Sequence, residues 1–496
     1  MNAELLRIRP RSRRARDHRH AVIDIGSNTV RLVIYGGPPR APAVLWNEKV
    51  SARLGRDLAN GGVIPEAAMD EALAALARYA AILREQGIAR VDTVATAAPR
   101  EAANAGEFVR RVEALGLRVT VLSGEEEACA SAYGAIGAFP DAEGVVADLG
   151  GGSLELIAIA DGTCGRGATF PLGTLRLRAL RAAGRFEHKV ARLLTQADWA
   201  RGGDTMYMIG GTWRAFAAYA MRSTDHPLTD PHGLAMSPED AGKLALRLTR
   251  AEPAKLALQR GISAMRAEKL PDAAALLRVL IAELAPKTLV FSSWGLREGL
   301  YYRSLPERER VSDPLIAGVT AFTANLPTGD IDTPALASWA AGMAPGAPVE
   351  GASLRLAAAQ LAIALQRVEP NLRAAQALEW ALDKRWIGID FRGRALLAAA
   401  LRGSLGITAP HPRLHPLANE ADLREATGWG LAFRLGLRLG AGAGGPLSAS
   451  RLMVSGGQVE LELSARHAPL VTRPVEKDLA ALADWLGTRP KLSIIA

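Results

Sequence analysis

The sequence predicts an α/β fold made of two related halves with a cleft between them, followed by an all-helical domain and a small α+β domain. Two observations carry this. Ala21–Tyr35 (AVIDIGSNTVRLVIY) and Gly144–Ala160 (GVVADLGGGSLELIAIA) lie far apart in the chain yet share one design. In each, an apolar run ends in aspartate, a turn of small residues follows, and a second apolar run leaves it. A charged, proline-containing stretch, Ser304–Asp313 (SLPERERVSD), then separates this strand-bearing region from an alanine-rich one.

The remaining elements follow in order. Pro65–Gln86 carries alanine and leucine at helical spacing and stops at Gly87, before a short strand around Val91–Ala95. Asn104–Leu115 reads as a helix, Arg118–Leu122 as a strand, and Glu125–Ile136 as a helix opened by Ser123-Gly124. Met206–Ile209 is an apolar strand leading into Gly210-Gly211-Thr212 and a helix from Trp213, and Val290–Ser293 is a last short strand before Gly295–Tyr302. Leu354–Arg367 and Leu372–Asp383 read as helices, and Thr408–Asn419 as a proline-bearing linker. The tail combines a helix near Glu420–Leu439, two strands (Ser448–Val454 and Gln458–Ser464) and a helix from Val475 to Leu486. The expected domains are a disordered basic arm at 1–20, a first half at 21–132, a second half at 133–305, a helical domain at 306–408 and an α+β domain at 409–496.

Composition bounds these readings without deciding them. A chain of 496 residues exceeds one core and suggests about three or four domains. Its 49% hydrophobic and 22% charged residues are ordinary for a folded soluble protein. No apolar run approaches the roughly 20 residues that span a bilayer, so no membrane association is expected. The net charge of +9 includes a cluster in the arm (Arg7, Arg9, Arg11, Arg13, Arg14, Arg16 and Arg19, against Glu4 and Asp17). A basic balance favours polyanions such as nucleic acid, acidic lipid or polyphosphate, although arginine-rich usage throughout explains the arm equally well. With only Cys129 and Cys164, no disulfide framework is expected, and a reducing, cytoplasmic compartment is the expected setting.

Four segments carry candidate chemistry. In Asp24-Ile25-Gly26-Ser27-Asn28-Thr29, glycine lets successive amides converge on an anion, and Ser27, Asn28 and Thr29 add donors. An ordinary Gly-Ser-Asn hairpin is the bland alternative. In Asp148-Leu149-Gly150-Gly151-Gly152-Ser153, three glycines after an apolar strand make sense where backbone must approach a ligand closely. Asp24, Asp148 and Glu155 offer hard oxygen ligands suited to magnesium. Ser123-Gly124-Glu125-Glu126-Glu127 puts three carboxylates at a helix start. Capping and the helix dipole explain Glu125 and Glu126; Glu127 is the foremost candidate to face the cleft as a general base. Thr96-Ala97-Ala98-Pro99-Arg100 supplies an arginine, whose planar guanidinium suits phosphate.

Together these segments closely resemble the exopolyphosphatase and guanosine pentaphosphate phosphatase family, within the actin, Hsp70 and sugar-kinase superfold. The matching stretches are AVIDIGSNTVRLVIY, ATAAPREAAN, LSGEEEA, VVADLGGGSLEL, FPLGTLRLR and LREGLYY, over roughly residues 20–305. Sugar kinases share the two loops but not the ATAAPREAAN and LSGEEEA segments. The resemblance implies two actin-like (ribonuclease H-like) subdomains and an exopolyphosphatase that uses magnesium, with manganese as a substitute. It places Glu127 on the catalytic glutamate that activates water, and Arg100, also expected to be catalytic, on a group that binds the phosphates. Asp148 and Glu155 fall on acidic residues associated with the magnesium site. Asn28 and Gly150, Gly151, Gly152 and Ser153 fall on phosphate-binding groups, with Arg31 lining the substrate path. Gly211 and Thr212 sit where kinase relatives grip adenosine and here are expected to contact phosphate. It further implies a homodimer, no specific nucleic-acid partner, and guanosine pentaphosphate as an alternative substrate.

Longer members of the family carry a helical domain resembling HD phosphohydrolases. Leu354–Leu405 contains no histidine, which excludes that metal chemistry here. His188, His226, His232, His411, His415 and His467 show no ligand spacing and read as surface residues, with His18 and His20 in the arm. Two other classes compete: a non-catalytic sensor of polyphosphate or nucleotide, which is expected to lack Glu127 or Asp148, and an ATP-dependent kinase or chaperone of the same superfold.

Overall fold

The structure, a computed structural model, describes residues 19–56, 62–199, 204–326, 330–341 and 351–495. The arm expected at 1–20 lies outside the described residues except for Arg19 and His20. The chain divides into two compact units. The first runs to Thr224 and through Pro231–Ser312; the second comprises Asp225–Asp230 and the chain from Asp313 onward.

The first unit holds two mixed sheets built on one plan. In the first sheet, β1 (His20–Ile25) lies between β2 (Val30–Gly36), antiparallel to it, and β4 (Arg90–Ala95), parallel to it. The edge strands β3 (Ala43–Val50) and β5 (Val119–Val121) complete the order β3-β2-β1-β4-β5. The second repeats the arrangement. There, β6 (Gly144–Leu149) lies between antiparallel β7 (Leu154–Ala160) and parallel β9 (Thr205–Ile209). With β8 (Thr163–Phe170), β10 (Ala235–Met236) and β11 (Thr288–Phe291) the order is β10-β11-β9-β6-β7-β8.

The continuous apolar run of β1 is explained by burial on both faces. Ala21, Ile23 and Ile25 pack with Leu76 and Tyr79 of α1 (Glu66–Glu85) in one core, while Val22 enters a second. That second core also gathers Ala128 and Ala132 of α3 (Gly124–Ala138), Val146 and Ile157 of the second sheet, and Leu300 of α5 (Leu296–Arg303). The two sheets therefore share one core through α3 and α5. Between these helices the contact is backbone on backbone. A Cβ on Gly134 would collide with Gly295 O, and one on Gly299 with Ala130 O.

Several expectations are corrected here. Cys129 of α3 and Cys164 of β8 form a disulfide, with Cα atoms 5.7 Å apart. Helix and strand meet only in the folded sheet packing, so a spacing of 35 residues gave no local sign of it, and the cysteine count no longer argues for a reducing compartment. His232 is buried rather than on the surface. Its ring stacks on Phe139 at 5.0 Å, and its Nδ1 accepts the Ser293 amide at 3.2 Å. His20 is likewise buried in β1, its Nε2 2.8 Å from Asp92.

In the second unit, α6 (Phe391–Ser404) packs against α7 (Glu420–Gly440), with the backbone of Gly430 against Ala400 O. The terminal sheet has three strands where two were expected: β12 (Ser450–Ser455), β13 (Gln458–Ser464) and β14 (Arg489–Ile495), the last after α8 (Arg473–Leu486). β14 opens Arg-Pro-Lys and sits at the sheet edge, so no buried face imposes alternation on it. Among the described residues no helix is long and apolar enough to cross a membrane.

The α3–α5 contact generates a matched prediction. Gly299→Ala should lower unfolding stability by about 1–3 kcal/mol through overpacking. Gly242→Ala, in helix Pro238–Leu248 where a Cβ meets nothing, should be neutral or add up to about 1 kcal/mol. Denaturant titrations of the two variants check this; equal stabilities would contradict the tight contact.

Candidate active site

The two hairpin turns are equivalent in detail. Asp24 pairs across the strands with Arg31, and Asp148 with Glu155. Each turn is closed by the same bond: Gly26 N–H to Thr29 O and Gly150 N–H to Ser153 O, both 3.0 Å. Following segments occupy the loop carbonyls. Gly55 N–H donates to Ser27 O at 2.7 Å, Arg53 N–H to Asn28 O at 3.1 Å, Thr174 N–H to Gly150 O at 3.0 Å and Leu175 N–H to Gly151 O at 2.9 Å. No described residue accepts from the amides of Ser27, Asn28, Gly151 or Gly152. Each loop thus has fixed carbonyls and open donors, the arrangement that cradles an anion.

The loops also face one another. A Cβ on Gly152 would lie 2.9 Å from Ala97 Cβ and 3.2 Å from Ser27 Oγ. Between them lies a cleft of about 250 Å³ lined by Asp24, Ser27, Asn28, Thr29, Arg31, Glu127, Asp148 and Gly150 to Ser153. Gly211 and Thr212, at the start of α4 (Gly211–Ser223), line it as well. Gly210 before them has φ of 120°, a conformation L side chains rarely adopt, and a Cβ there would meet Leu149 O at 2.6 Å.

Helix capping decides which glutamate faces the cleft. Ser123 N–H donates to Glu126 Oε2 at 2.8 Å, and Glu126 N–H to Ser123 Oγ at 3.1 Å, a capping box that commits Glu126. Glu125 is exposed. Glu127, one position on, turns inward with its side chain 12% exposed. Arg100, at the end of α2 (Ala97–Glu101), donates from Nη1 to Glu127 Oε2 at 2.8 Å and to Leu122 O at 3.0 Å. Arg100 does not line the cleft; it holds the glutamate that does. Burial lifts the Glu127 pKa to about 7, against the pull of Arg100 and with Asp148 and Asp24 pushing the same way.

Behind Glu127 sit further carboxylates. Asp148 accepts from Ser131 Oγ, and burial raises its pKa despite that bond. Asp24 is raised by burial although Arg297 Nη1 lies 3.3 Å from its Oδ2. Glu155 is 1% exposed, and its Oε1 has no hydrogen-bond partner; burial, Glu127 and Asp148 hold its pKa well above the usual range. Glu155 does not line the cleft. Among the described residues no three acidic, histidine or cysteine side chains converge into a complete metal cage.

Five cations in the cleft were not singled out from sequence: Lys49, Arg214, Arg266, Lys269 and Arg297. Arg297 falls in the LREGLYY stretch, which was a usable signal. The others come from a strand edge and three helical segments without a motif. Arg214 Nη1 donates to Ser293 O at 3.2 Å, and burial pulls its pKa down to about 10.

Comparison with known proteins gives the family and the fold. The profile of the Ppx/GppA phosphatase family matches residues 33–308, more than half the chain, beginning just after the first loop. Exopolyphosphatase 1 of Mycobacterium leprae is 29% identical over 310 residues, spanning 58% of this chain and 89% of that protein. The crystal structure of an Aquifex aeolicus Ppx/GppA family member superposes with a TM-score of 0.51 at 25% identity, over 57% of this chain and 96% of that one. A Cytophaga hutchinsonii exopolyphosphatase structure, 22% identical over 57% of this chain and 97% of that one, has the same fold at a TM-score of 0.51.

The carboxyl environment predicts a titration. Infrared difference spectra should show a carboxylic acid ionising near pH 7 that is missing in Glu127→Gln. In Arg100→Ala its midpoint should move upward, because the hydrogen bond and charge that favour the carboxylate are gone. A midpoint unmoved by the loss of Arg100 would contradict the pairing.

Proposed function

The chain belongs to the Ppx/GppA phosphatase family, and on that premise we propose that it is an exopolyphosphatase, releasing the terminal phosphate of inorganic polyphosphate by attack of water. It is a hydrolase of phosphoanhydride bonds. One observation carries the finer reading: the inward carboxylate of Glu127 lines the same cleft as two phosphate-cradling loops.

The steps follow from the residues. The open amides of the two loops, with Ser27, Asn28, Thr29 and Ser153, bind the terminal phosphate and its neighbour. Glu127, ionised near neutrality, accepts the proton of a water placed in line with the terminal phosphorus. Arg100 fixes the direction of that carboxylate. The terminal P–O bond breaks, and the shortened chain leaves with its bridging oxygen. Phosphoryl transfer asks mainly for positioning and charge neutralisation, and no protein nucleophile is needed.

A divalent metal fits this site. The unpartnered Oε1 of Glu155 beside Asp148, and Asp24 across the cleft, are hard oxygen donors of the kind magnesium takes. The lack of a full protein cage suits an ion that keeps waters and shares substrate phosphates. Asp148 and Asp24, which line the cleft, would hold magnesium or manganese, with Glu155, the buried cross-strand neighbour of Asp148, adding negative charge behind them; when bound the ion neutralises charge on the phosphate oxygens. Guanosine pentaphosphate offers the same terminal phosphoanhydride and is the competing substrate. A non-catalytic sensor is disfavoured because Glu127 and Asp148 are both present.

On defined long-chain polyphosphate, wild-type protein should release orthophosphate end-wise, leaving chains shortened one unit at a time. Glu127→Gln should lose at least about a hundredfold in kcat while still binding polyphosphate, as expected for loss of a general base. The rate kcat/KM should fall as pH drops through about 7, because protonated Glu127 accepts no proton. Internal cleavage products, wild-type turnover by Glu127→Gln, or faster hydrolysis of guanosine pentaphosphate would each overturn the assignment.

A further inference from the structure

The helix that carries Glu127 is held differently along its length. From Ala130 onward, α3 is fixed against α5 by backbone on backbone. Ahead of that contact lies the turn bearing Glu127. Its capping box is internal to the helix and sets no distance to a neighbour. Ala128 is buried there but offers the core one methyl group. Apolar burial stabilises in proportion to area, so this turn has little grip of its own.

Two contacts with β8 bracket the turn. A Cβ on Gly124 would collide with the side chain of Thr169. Further along the helix, Cys129 is bonded to Cys164, the two Cα atoms lying 5.7 Å apart. Glu127 stands between these points. Two residues turn a helix by about 200°, so Cys129 leaves α3 on the side away from Glu127. Neither cysteine lines the cleft, and the bond reaches Glu127 only through the helix they share. Its other end belongs to the sheet of the site. Across β7, Thr169 pairs with Glu155 and Cys164 with Ile159. The disulfide thus fastens the start of α3 to the sheet that bears Asp148 and Glu155. The pair is also open to reagents: β8 is an edge strand, and both cysteines are partly exposed. The chain has no third cysteine to compete for either sulfur.

We propose that Cys129 and Cys164 form a reversible thiol–disulfide switch: the bond clamps the first turns of α3 to β8 and sets the position of Glu127, and its reduction loosens that end of the helix and lowers turnover. The effect on turnover rests on the exopolyphosphatase reading, in which Glu127 is the base. Two equivalents of a thiol supply the electrons. The first, as thiolate, attacks one protein sulfur; the Sγ–Sγ bond breaks and a mixed disulfide forms. The second attacks the reagent sulfur of that mixed disulfide. Two electrons and two protons end on Cys129 and Cys164, and the reagent leaves as its own disulfide. A misplacement of about 1 Å can cost about a hundredfold in rate, so a slight release of α3 is visible in kcat.

The test reduces wild type with dithiothreitol, removes it, and returns the protein stepwise with mixtures of glutathione and glutathione disulfide. Free thiols are counted by alkylation after denaturation, and hydrolysis of long-chain polyphosphate is measured at each step. From the oxidised to the reduced protein kcat should fall at least about fivefold, in step with the thiol count, while KM stays within about twofold. Cys129→Ser and Cys164→Ser should each remain at the low kcat under every mixture. Hydrogen exchange at residues 124–129 should be at least about tenfold faster in the reduced protein. A kcat that does not follow the thiol count overturns the switch, as does a serine variant as active as the oxidised protein. Thiols that glutathione disulfide leaves free also overturn it, because the bond then does not form. If neither state hydrolyses polyphosphate, the exopolyphosphatase reading fails, and hydrogen exchange still judges the clamp: equal exchange in both states overturns it. Wild type reports both states by itself, whether or not a serine variant folds.

Discussion

Everything in the first unit is arranged around carboxylates kept out of water near one another. For Asp24, Glu127, Asp148 and Glu155 burial is the largest influence, and it disfavours the charged form each time. At an effective dielectric near 20, two like charges about 4 Å apart repel by about 4 kcal/mol, several times the net worth of one ordinary hydrogen bond, about 1 kcal/mol. Hydrogen bonds such as that from Ser131 to Asp148 do not offset such repulsion alone. Arg100 on Glu127 and Arg297 on Asp24 pull these groups back toward the charged form, but burial still leaves both raised. The balance leaves Glu127 ionising near neutrality and holds Glu155 well above the usual carboxylate range.

Such a balance survives only if the groups are held to within a fraction of an ångström. Glu127 rides on α3 and Arg297 on α5, and those helices touch through backbone at Gly134, Gly295, Gly299 and Ala130. Side chains can change rotamer, whereas backbone in contact with backbone has no such freedom. α5 is then tied to the first sheet: Tyr35 Oη donates to Glu298 Oε1 at 2.7 Å, and Gly295 N–H donates to Glu298 Oε2 at 3.0 Å. Small residues in the sequence thus become a fixed distance between charges in the cleft.

The parts of this site that were legible in the sequence are those with a local cause. Each hairpin loop is a contiguous strand, turn and strand, and its glycines mark the turn. The capping box is a spacing of three residues, so the commitment of Glu126, and with it the freedom of Glu127, follows from Ser123. Lys49, Arg214, Arg266 and Lys269 have no such local cause. They meet only because two sheets and three helical segments converge, and one lysine on a half-polar strand resembles another. The Cys129–Cys164 bond and the burial of His232 against Phe139 were hidden for the same reason. Arg100 was singled out for its suitability to phosphate, and its partner in the structure is Glu127, a contact across 27 residues with no local sign.

The placement of charge also changes what the basic composition means. A net +9 sums groups that water and salt separate, and at 0.1 M ionic strength interactions fade over about 10 Å. The charge inside the fold is local: six cations and the carboxylates Asp24, Glu127 and Asp148 line one cleft. The charge of the cleft is therefore a property of where the folded chain puts a few side chains, and the net value of the whole sequence does not describe it.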